Sequence, residues 1–308
     1  MNDLSIIIVS WNCRDFLEQC LQSLRDSGFC APYEVIVVDN SSSDGTAALV
    51  GQRFPEVRLF VNADNVGFAA ANNQGMRRSS GRYILLLNPD TTVLPGVLDG
   101  LLQFMDSHPE STVAGPVLLK SDRTPQNAGV RFPTNGNILA EALFLDRLFP
   151  RSRLFGRHKE LYEDPSKPRE IDVVHGAAMM VRREALGMAG GLDEDFFVYF
   201  EETDWCWRIK EAGGKVHYSA IGSIIHHGGS ETGHYDERRL VYYHGSLLHF
   251  YRKHYAWWRL LLLRPILLLR SLIRIGVWGL YAMFKPPKRA TAMSCIRGYI
   301  KVIGIVLT

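Results

Sequence analysis

Cysteine is sparse in this chain and shows no pairing pattern. Cys13, Cys20, Cys30, Cys206 and Cys295 are odd in number and no two stand in a CxxC spacing. Neither a disulfide framework nor a structural zinc site therefore organises the fold, and a reducing compartment is the expectation. No GxGxxG follows the first apolar run, which weakens a dinucleotide-binding dehydrogenase reading. The opening MNDLSIIIVSWN carries acid early and lacks the basic start and small-residue cleavage site of a secretory signal, so a cytoplasmic location is expected. Acid is missing from the end of the chain. Glu237 is the last acidic residue, yet 13 of the 35 Lys and Arg follow it, so the first 237 residues carry a net −10 and the remainder +13.

That split predicts an acidic globular body joined to a basic segment that meets an anionic surface. The apolar content of the tail, WWRLLLLRPILLLRSLIRIGVWGLYAMF, points to phospholipid rather than nucleic acid. A spanning helix needs about 20 mainly apolar residues, and arginines interrupt every window of that length in this stretch. Projected at about 100° per residue, Arg252, Lys253, Arg259, Arg264, Arg270, Arg274 and Lys285 fall within roughly 140° of arc and leave Trp, Leu and Ile on the rest. This predicts a helix lying in a membrane interface, its cations at the headgroups. Pro265 kinks that helix or marks its start. Packing on the body or on a second subunit is the competing expectation, which leaves oligomerisation open.

At 308 residues and 46% hydrophobic, the chain can bury a large core. The apolar runs LSIIIV, YEVIVVD, VRLFV and RYILLLN alternate with helix-like stretches at Asp15–Asp26, Thr46–Arg53 and Ala69–Arg78, the pattern of a mostly parallel sheet with crossover helices. Each run ends in polar or glycine-containing residues: Ser10-Trp11-Asn12, Asp39-Asn40-Ser41, Asn62 to Gly67, and Asn88-Pro89-Asp90. Ligands of open α/β sheets bind beyond the carboxyl ends of the strands, so these clusters should converge on one crevice. Residues 116 to 168 read as irregular. Order returns with IDVVHGAAMMVRREAL, a helix from about Glu201 to Gly213-Gly214, and KVHYSA and SIIHHGG as a final strand with a histidine-bearing loop.

Sugar transfer from a nucleotide diphosphate demands a pocket for base and ribose, a cation for the leaving group and a general base. Asp39 can accept from base or ribose donors, with Ser10 and Asn12 lining the same crevice, although strand-end turn chemistry alone also favours these residues. Asp90 ends an apolar strand behind Pro89, presenting a hard oxygen ligand suited to Mg²⁺ or Mn²⁺; an Asn-Pro-Asp sequence is also an ordinary turn. His226 and His227 stand between Ile224-Ile225 and two glycines, where one imidazole can reach the same ion or both serve structure. Glu201, Glu202 and Asp204 crowd a helix start whose dipole favours carboxylates whatever their function; Glu202 is the candidate base.

The strings SIIIVSWNCRDFLEQCLQSL, VIVVDNSSSDGT, NVGFAAANNQG, YILLLNPD, HGAAMMVRREAL, GGLDEDFFVYFEETDWCWRIKEAGG and IIHHGGS together resemble family-2 glycosyltransferases of GT-A fold, in particular bacterial rhamnosyltransferases. The resemblance covers about residues 4 to 254 and keeps the family's motif order. It implies an α/β, Rossmann-like nucleotide-diphospho-sugar transferase fold over 1–250 and a basic amphipathic helical tail over 251–308. It also implies that Asp90 holds Mg²⁺ or Mn²⁺, that His226 helps bind metal or diphosphate, and that Glu202 is the catalytic base of an inverting transfer. By the same resemblance Asp39 contacts the nucleotide, helped by Ser10, Asn12, Asn65, Gly67 and Asn72.

Two positions depart from the family pattern: Asn88 stands where many relatives have Asp, and Glu202 where Asp is commoner, so Glu201 remains a rival base. By the resemblance alone the expected donor is dTDP-L-rhamnose; the expected acceptor is a lipid-linked or cell-envelope glycan, and the location peripheral at the inner face of the cell membrane. Two other readings stay open: a non-catalytic sugar-nucleotide or glycan-binding module on the same fold, and a membrane scaffold that uses only the tail.

Overall fold

All seven residues of LSIIIVS are buried in strand β1 (Leu4–Ser10), so both faces of this strand are covered and it lies at the centre of a sheet. The computed structural model describes residues 2–126, 129–156, 164–228 and 237–308. Along the chain β1 is followed by α1 (Arg14–Asp26), β2 (Tyr33–Asp39), α2 (Thr46–Arg53), β3 (Arg58–Val61), α3 (Phe68–Arg78) and β4 (Tyr83–Leu87). Then come β5 (Thr91–Val93), α4 (Val97–Ser107), β6 (Ser111–Leu119), β7 (Pro125–Gln126), β8 (Gly129–Val130), α5 (Asn135–Ala142) and α6 (Leu145–Leu148). The remainder holds β9 (Arg169–Glu170), β10 (Val173–Val174), β11 (Ala178–Arg182), α7 (Ala185–Ala189), α8 (Glu201–Glu211), β12 (Lys215–His226), α9 (Glu237–His254), α10 (Trp257–Phe284) and α11 (Arg289–Leu307).

Two units divide these elements. The first carries all the strands with α1 to α4, α7 and α8. Its main sheet runs β3-β2-β1-β4-β11-β6-β12-β5, with β7 on β6 and β9 on β12; β8 and β10 form a separate pair. Strands β1 to β4 are mutually parallel. β11 runs antiparallel to both β4 and β6, and β12 runs parallel to β6. The carboxyl ends of β1, β2, β4 and β12 and the amino end of β11 therefore share one edge, and the site follows from that.

Local chemistry explains the crossovers. In α1, Leu17, Cys20, Leu21 and Leu24 are buried, the i, i+3, i+4, i+7 stripe of a helix laid on a sheet. In α3 three of the six buried positions are Ala or Gly, and a Cβ on Gly75 would lie 2.5 Å from Ile7 Cγ2, so glycine permits the close approach of helix to β1. Asp44 caps two helices at once: it accepts from the Arg14 amide at 2.9 Å and from the Thr46 amide at 3.1 Å, meeting orphan donors at both helix starts. The two runs KVHYSA and SIIHH form one strand, β12, whose pairing with β6 slips between Tyr218 and Ser223. Ala220 and Gly222 there adopt positive φ of 55° and 53°, the mark of a bulge.

The second unit holds α5, α6, α9, α10, α11 and residues 198–200. Residue 250 falls inside α9, and the basic tail beyond it continues into two more helices joined by a 3-10 turn at Pro286–Lys288. α10 begins at Trp257 and runs through Pro265, so the proline does not mark its start. Arg252 and Lys253 sit on α9 and not on the same helix as the other projected cations. Two of those cations also turn inward: Arg270 lies 3.4 Å from Glu141, and Arg274 donates to the Glu141 carbonyl at 3.0 Å while its guanidinium covers the Phe144 ring at 3.7 Å. Leu263, Leu267 and Ser271 share this inward face. The outward face is the apolar one, with Trp258, Leu261, Leu262, Leu269, Leu272, Leu280 and Met283 exposed. The segment Pro286–Leu307 is long and apolar enough to cross a membrane by length and composition, with a hydropathy of 1.5.

Candidate active site

β4 delivers the chain to Asn88-Pro89-Asp90 and β5 begins at Thr91, where it pairs antiparallel with the end of β12, Thr91 opposite His226. That register brings the Asp90 carboxylate to 3.4 Å from His226 Nε2. The other ring nitrogen of His226 is held by the Gln126 side chain, 3.1 Å from its Nε2, which fixes the ring and leaves Nε2 facing Asp90. Next in the chain, the His227 amide donates to the Asp90 carbonyl at 2.8 Å, while its ring is taken up by Thr92 at 2.8 Å and Ser121 at 3.2 Å. Gly228 then passes so close that any Cβ there would overlap Asp90 Oδ2.

The donors assembled here suit a hard divalent cation. Besides Asp90 and His226, the buried Asn88 Oδ1 has no hydrogen-bond partner among the described residues. An orphaned carbonyl two residues before a carboxylate is the oxygen a cation would satisfy. The Gln126 bond to His226 is the outer-sphere support that orients such a ligand.

At the ends of β1 and β2 two of the expected nucleotide residues, Asp39 and Asn12, are joined through Ser42, while Ser10, Asn65, Gly67 and Asn72 bond locally elsewhere. Asp39, fully buried, accepts from the Ser42 hydroxyl at 2.5 Å and the Ser42 amide at 3.0 Å. The Ser42 oxygen also accepts from the Asn12 amide at 2.9 Å, and Asn12 Oδ1 accepts from the Ser43 amide at 2.8 Å. Asn12 and Ser41 hold positive φ of 49° and 62°, which asparagine tolerates better than most residues. Ser10 is buried against Cys13, their side-chain oxygen and sulfur 3.2 Å apart. Further along, Asn65 Oδ1 accepts from the Gly67 amide at 3.0 Å. Gly67 has φ 89° and no room for a Cβ, which would stand 2.8 Å from the Phe197 carbonyl. Asn72 is buried in α3 and donates back to the Phe68 carbonyl at 2.9 Å, so its amide nitrogen is turned along its own helix.

Glu201 and Glu202 open α8. Each has a buried Oε2 without a hydrogen-bond partner among the described residues. Burial pushes the Glu201 carboxyl well above the ordinary glutamate range, and the neighbouring Glu202 charge adds to it. Burial also raises Glu202, against backbone amides that pull it down. Burial thus holds both carboxyls toward their neutral forms. Its side chain abuts Gly176, where a Cβ would stand 3.6 Å from Glu202 Cγ. Rigid supports surround the helix. Trp205 donates to the Gly190 carbonyl at 2.8 Å, Arg208 binds Asp204 at 2.7 Å and the Gly191 carbonyl at 2.8 Å, and Asn73 clamps Leu192 through both backbone groups at 2.8 and 2.9 Å. Just before α8, Tyr199 and Phe200 carry positive φ of 68° and 70°, strain of a kind that clusters at functional sites.

Several of these residues carry no clear sequence signal. Gln126 lies in the stretch that reads as irregular, and Ser42 is one of three consecutive serines. Asn73 sits in a helix where any polar residue passes as surface. His175 was visible within HGAAMM without a role; it lies beside His226, the ring centroids 5.5 Å apart and the planes at 63°.

Parallel strands meeting a reversed β11, with an Asp turn after β4 and a carboxylate helix at α8, define a GT-A glycosyltransferase fold. A solved chain described as GalNAc-T7 with UDP, GalNAc and Mn²⁺ shares that fold at a TM-score of 0.56 and 15% identity over 74% of this chain; this chain spans 44% of that one. The family described as Glycosyl transferase family 2 matches residues 5–187, and the chain belongs to it. The N-acetylglucosaminyl-diphospho-decaprenol L-rhamnosyltransferase of Mycobacterium tuberculosis is 30% identical over 87% of this chain and 91% of its own length. A low-salt glycan biosynthesis hexosyltransferase of Haloferax volcanii is 27% identical over 73% of this chain and 67% of its own.

Proposed function

We propose that the protein is an inverting, divalent-metal-dependent rhamnosyltransferase that moves L-rhamnose from dTDP-L-rhamnose to a hydroxyl of a lipid-linked or cell-envelope glycan at the inner face of the membrane. The observation that carries the reading is the pairing on one sheet edge of Asp90 with His226 and, beside Gly176, the Glu202 carboxylate, whose buried Oε2 has no partner among the described residues. The similarity to the mycobacterial rhamnosyltransferase supports the choice of sugar and of a lipid-linked acceptor.

Glu202 takes the proton of the acceptor hydroxyl as that oxygen bonds to the anomeric carbon. The bond from this carbon to the diphosphate oxygen breaks, and its electron pair leaves with the diphosphate. One displacement from the face opposite the leaving group inverts the carbon. Asp90, His226 and the Asn88 carbonyl would hold Mg²⁺ or Mn²⁺, which supplies charge neutralisation to the departing diphosphate. Asp39, Ser10, Asn12, Asn65, Gly67 and Asn72 form the nucleotide end, the last two through the shape of the Gly67 turn and of α3. Glu201, next to Glu202 at the start of α8, is the rival for the role of base. The outward apolar stripe of α10, together with the exposed cations Lys285, Lys288 and Arg289, supports a membrane-facing role for the second unit, with headgroup contacts at that turn and not at Arg270 or Arg274.

The test is rhamnosyl transfer by Glu202→Gln and Glu201→Gln. Loss of a general base typically costs roughly 10²–10⁴ in rate, so Glu202→Gln should collapse turnover while dTDP binding persists, and Glu201→Gln should stay active. The reverse order moves the base by one residue. Binding without turnover in the parent protein would instead make it a sugar-nucleotide-binding module.

A further inference from the structure

His175 stands between the two halves of the proposed site. On one side its ring meets His226 edge to face at 5.5 Å; on the other, the adjacent Gly176 lies against Glu202. The turn leading into β11 is thus a strip of backbone running from the proposed metal ligands to the proposed base. Across this gap the transferred sugar must lie if diphosphate sits at Asp90 and acceptor at Glu202.

The ring has one nitrogen committed. Nδ1 accepts the Ala177 amide proton at 3.2 Å, a local turn that fixes the imidazole. In the neutral ring the proton then resides on Nε2. An imidazolium carries a proton on both nitrogens and could not accept at Nδ1, so the ring that makes this bond is neutral. The result is an oriented, uncharged N–H donor in a place where no protein acceptor for it is found among the described residues.

We infer that His175 binds the donor sugar, its Nε2–H donating to a ring hydroxyl of the transferred hexose, and so distinguishes the nucleotide sugar from the bare nucleoside diphosphate. A charged donor there would bind phosphate whether or not sugar were attached. A neutral one adds little to a dianion but pairs well with a hydroxyl, and a hydroxyl-reading site rejects analogues that lack the group. The inference rests on the glycosyltransferase reading above.

Two variants separate a ligand role from a turn role. His175→Asn keeps an oxygen able to accept the Ala177 amide, as in an Asx turn, but removes the far donor. His175→Gln carries an N–H₂ near the Nε2 position. Affinities for dTDP and for dTDP-L-rhamnose, each with Mn²⁺, are measured by calorimetry on the full chain. A neutral hydrogen bond contributes about 0.5–1.5 kcal/mol, so His175→Asn should weaken dTDP-L-rhamnose roughly 2- to 13-fold and leave dTDP unchanged, with His175→Gln recovering part of the loss. Equal weakening of both ligands, or no weakening of either, overturns the assignment to the sugar. If the parent protein binds dTDP but gains nothing from the attached rhamnose, the inference fails while the nucleotide site stands; if it binds neither, the donor reading itself fails.

Discussion

Replacing Leu272 and Leu280 on α10 with Glu tests the proposed membrane-facing surface directly. Both lie on the outward stripe, 61% and 58% exposed, and neither is among the buried residues of that helix, so the fold has little to lose. Each leucine presents about 100 Å² of apolar surface, which at about 25 cal/mol per Å² is about 2.5 kcal/mol on transfer from water to hydrocarbon. The pair then represents about 5 kcal/mol, on the order of a thousandfold in partition even if immersion is incomplete, before the cost of dragging two carboxylates to the interface. A 28-residue helix is about 42 Å long, so the remaining stripe cannot make up the loss from a single end. The assay is co-sedimentation of the full-length protein with phosphatidylglycerol and phosphatidylethanolamine vesicles, with thermal melts and dTDP binding as controls on folding. If the double variant pellets with vesicles as the parent does, α10 is not the docking face, and the stripe is covered by protein.

At the proposed metal ligand, Asp90→Asn should lower metal-supported transfer at least tenfold, about 1.4 kcal/mol, and flatten the Mn²⁺ titration; an unchanged metal dependence would move the ion elsewhere. Stability should respond to pH through Glu201. Its carboxyl is raised in the native state, so below the unfolded-state value both states are protonated and nothing is lost. As pH rises from there toward the native value, the unfolded chain releases its proton first and stability falls. Glu201→Gln should accordingly melt above the parent at pH 8, with the gap closing near pH 4.5; a gap independent of pH would refute the burial argument.

The sheet was readable because β1 and β4 are fully buried runs and β2 nearly so, and their alternation with the α1, α2 and α3 stripes leaves few arrangements. The stretch from 116 to 168 was not, and α4 before it went unread. α4 follows Pro95-Gly96 with Val97, Leu98, Leu101, Phe104 and Met105 buried, a pattern available in the sequence, whereas α5 is only eight residues long and has a weak apolar face. Asp90 and His226 could be named from motifs, but not Gln126, because its bond to His226 spans 100 positions. The tail shows how projection misleads: angles place Arg270 and Arg274 on one arc correctly, yet only partners such as Glu141 and Phe144 tell which way that arc faces.

The tight passage of Gly228 beside Asp90 also bears on how such a protein can change. Every glycine codon is one nucleotide from an alanine codon, and alanine at 228 would put a carbon where Asp90 Oδ2 stands. The turn lies at the end of β12, outside the ladder that holds the sheet together. Genetic drift at this one position could therefore displace the carboxylate while sparing the strands and the Asp39 cluster. If Asp90 and the Asp39 cluster have the roles proposed for them, the descendant would keep its fold and its nucleotide end and lose transfer, a silent binder one mutation from an active enzyme.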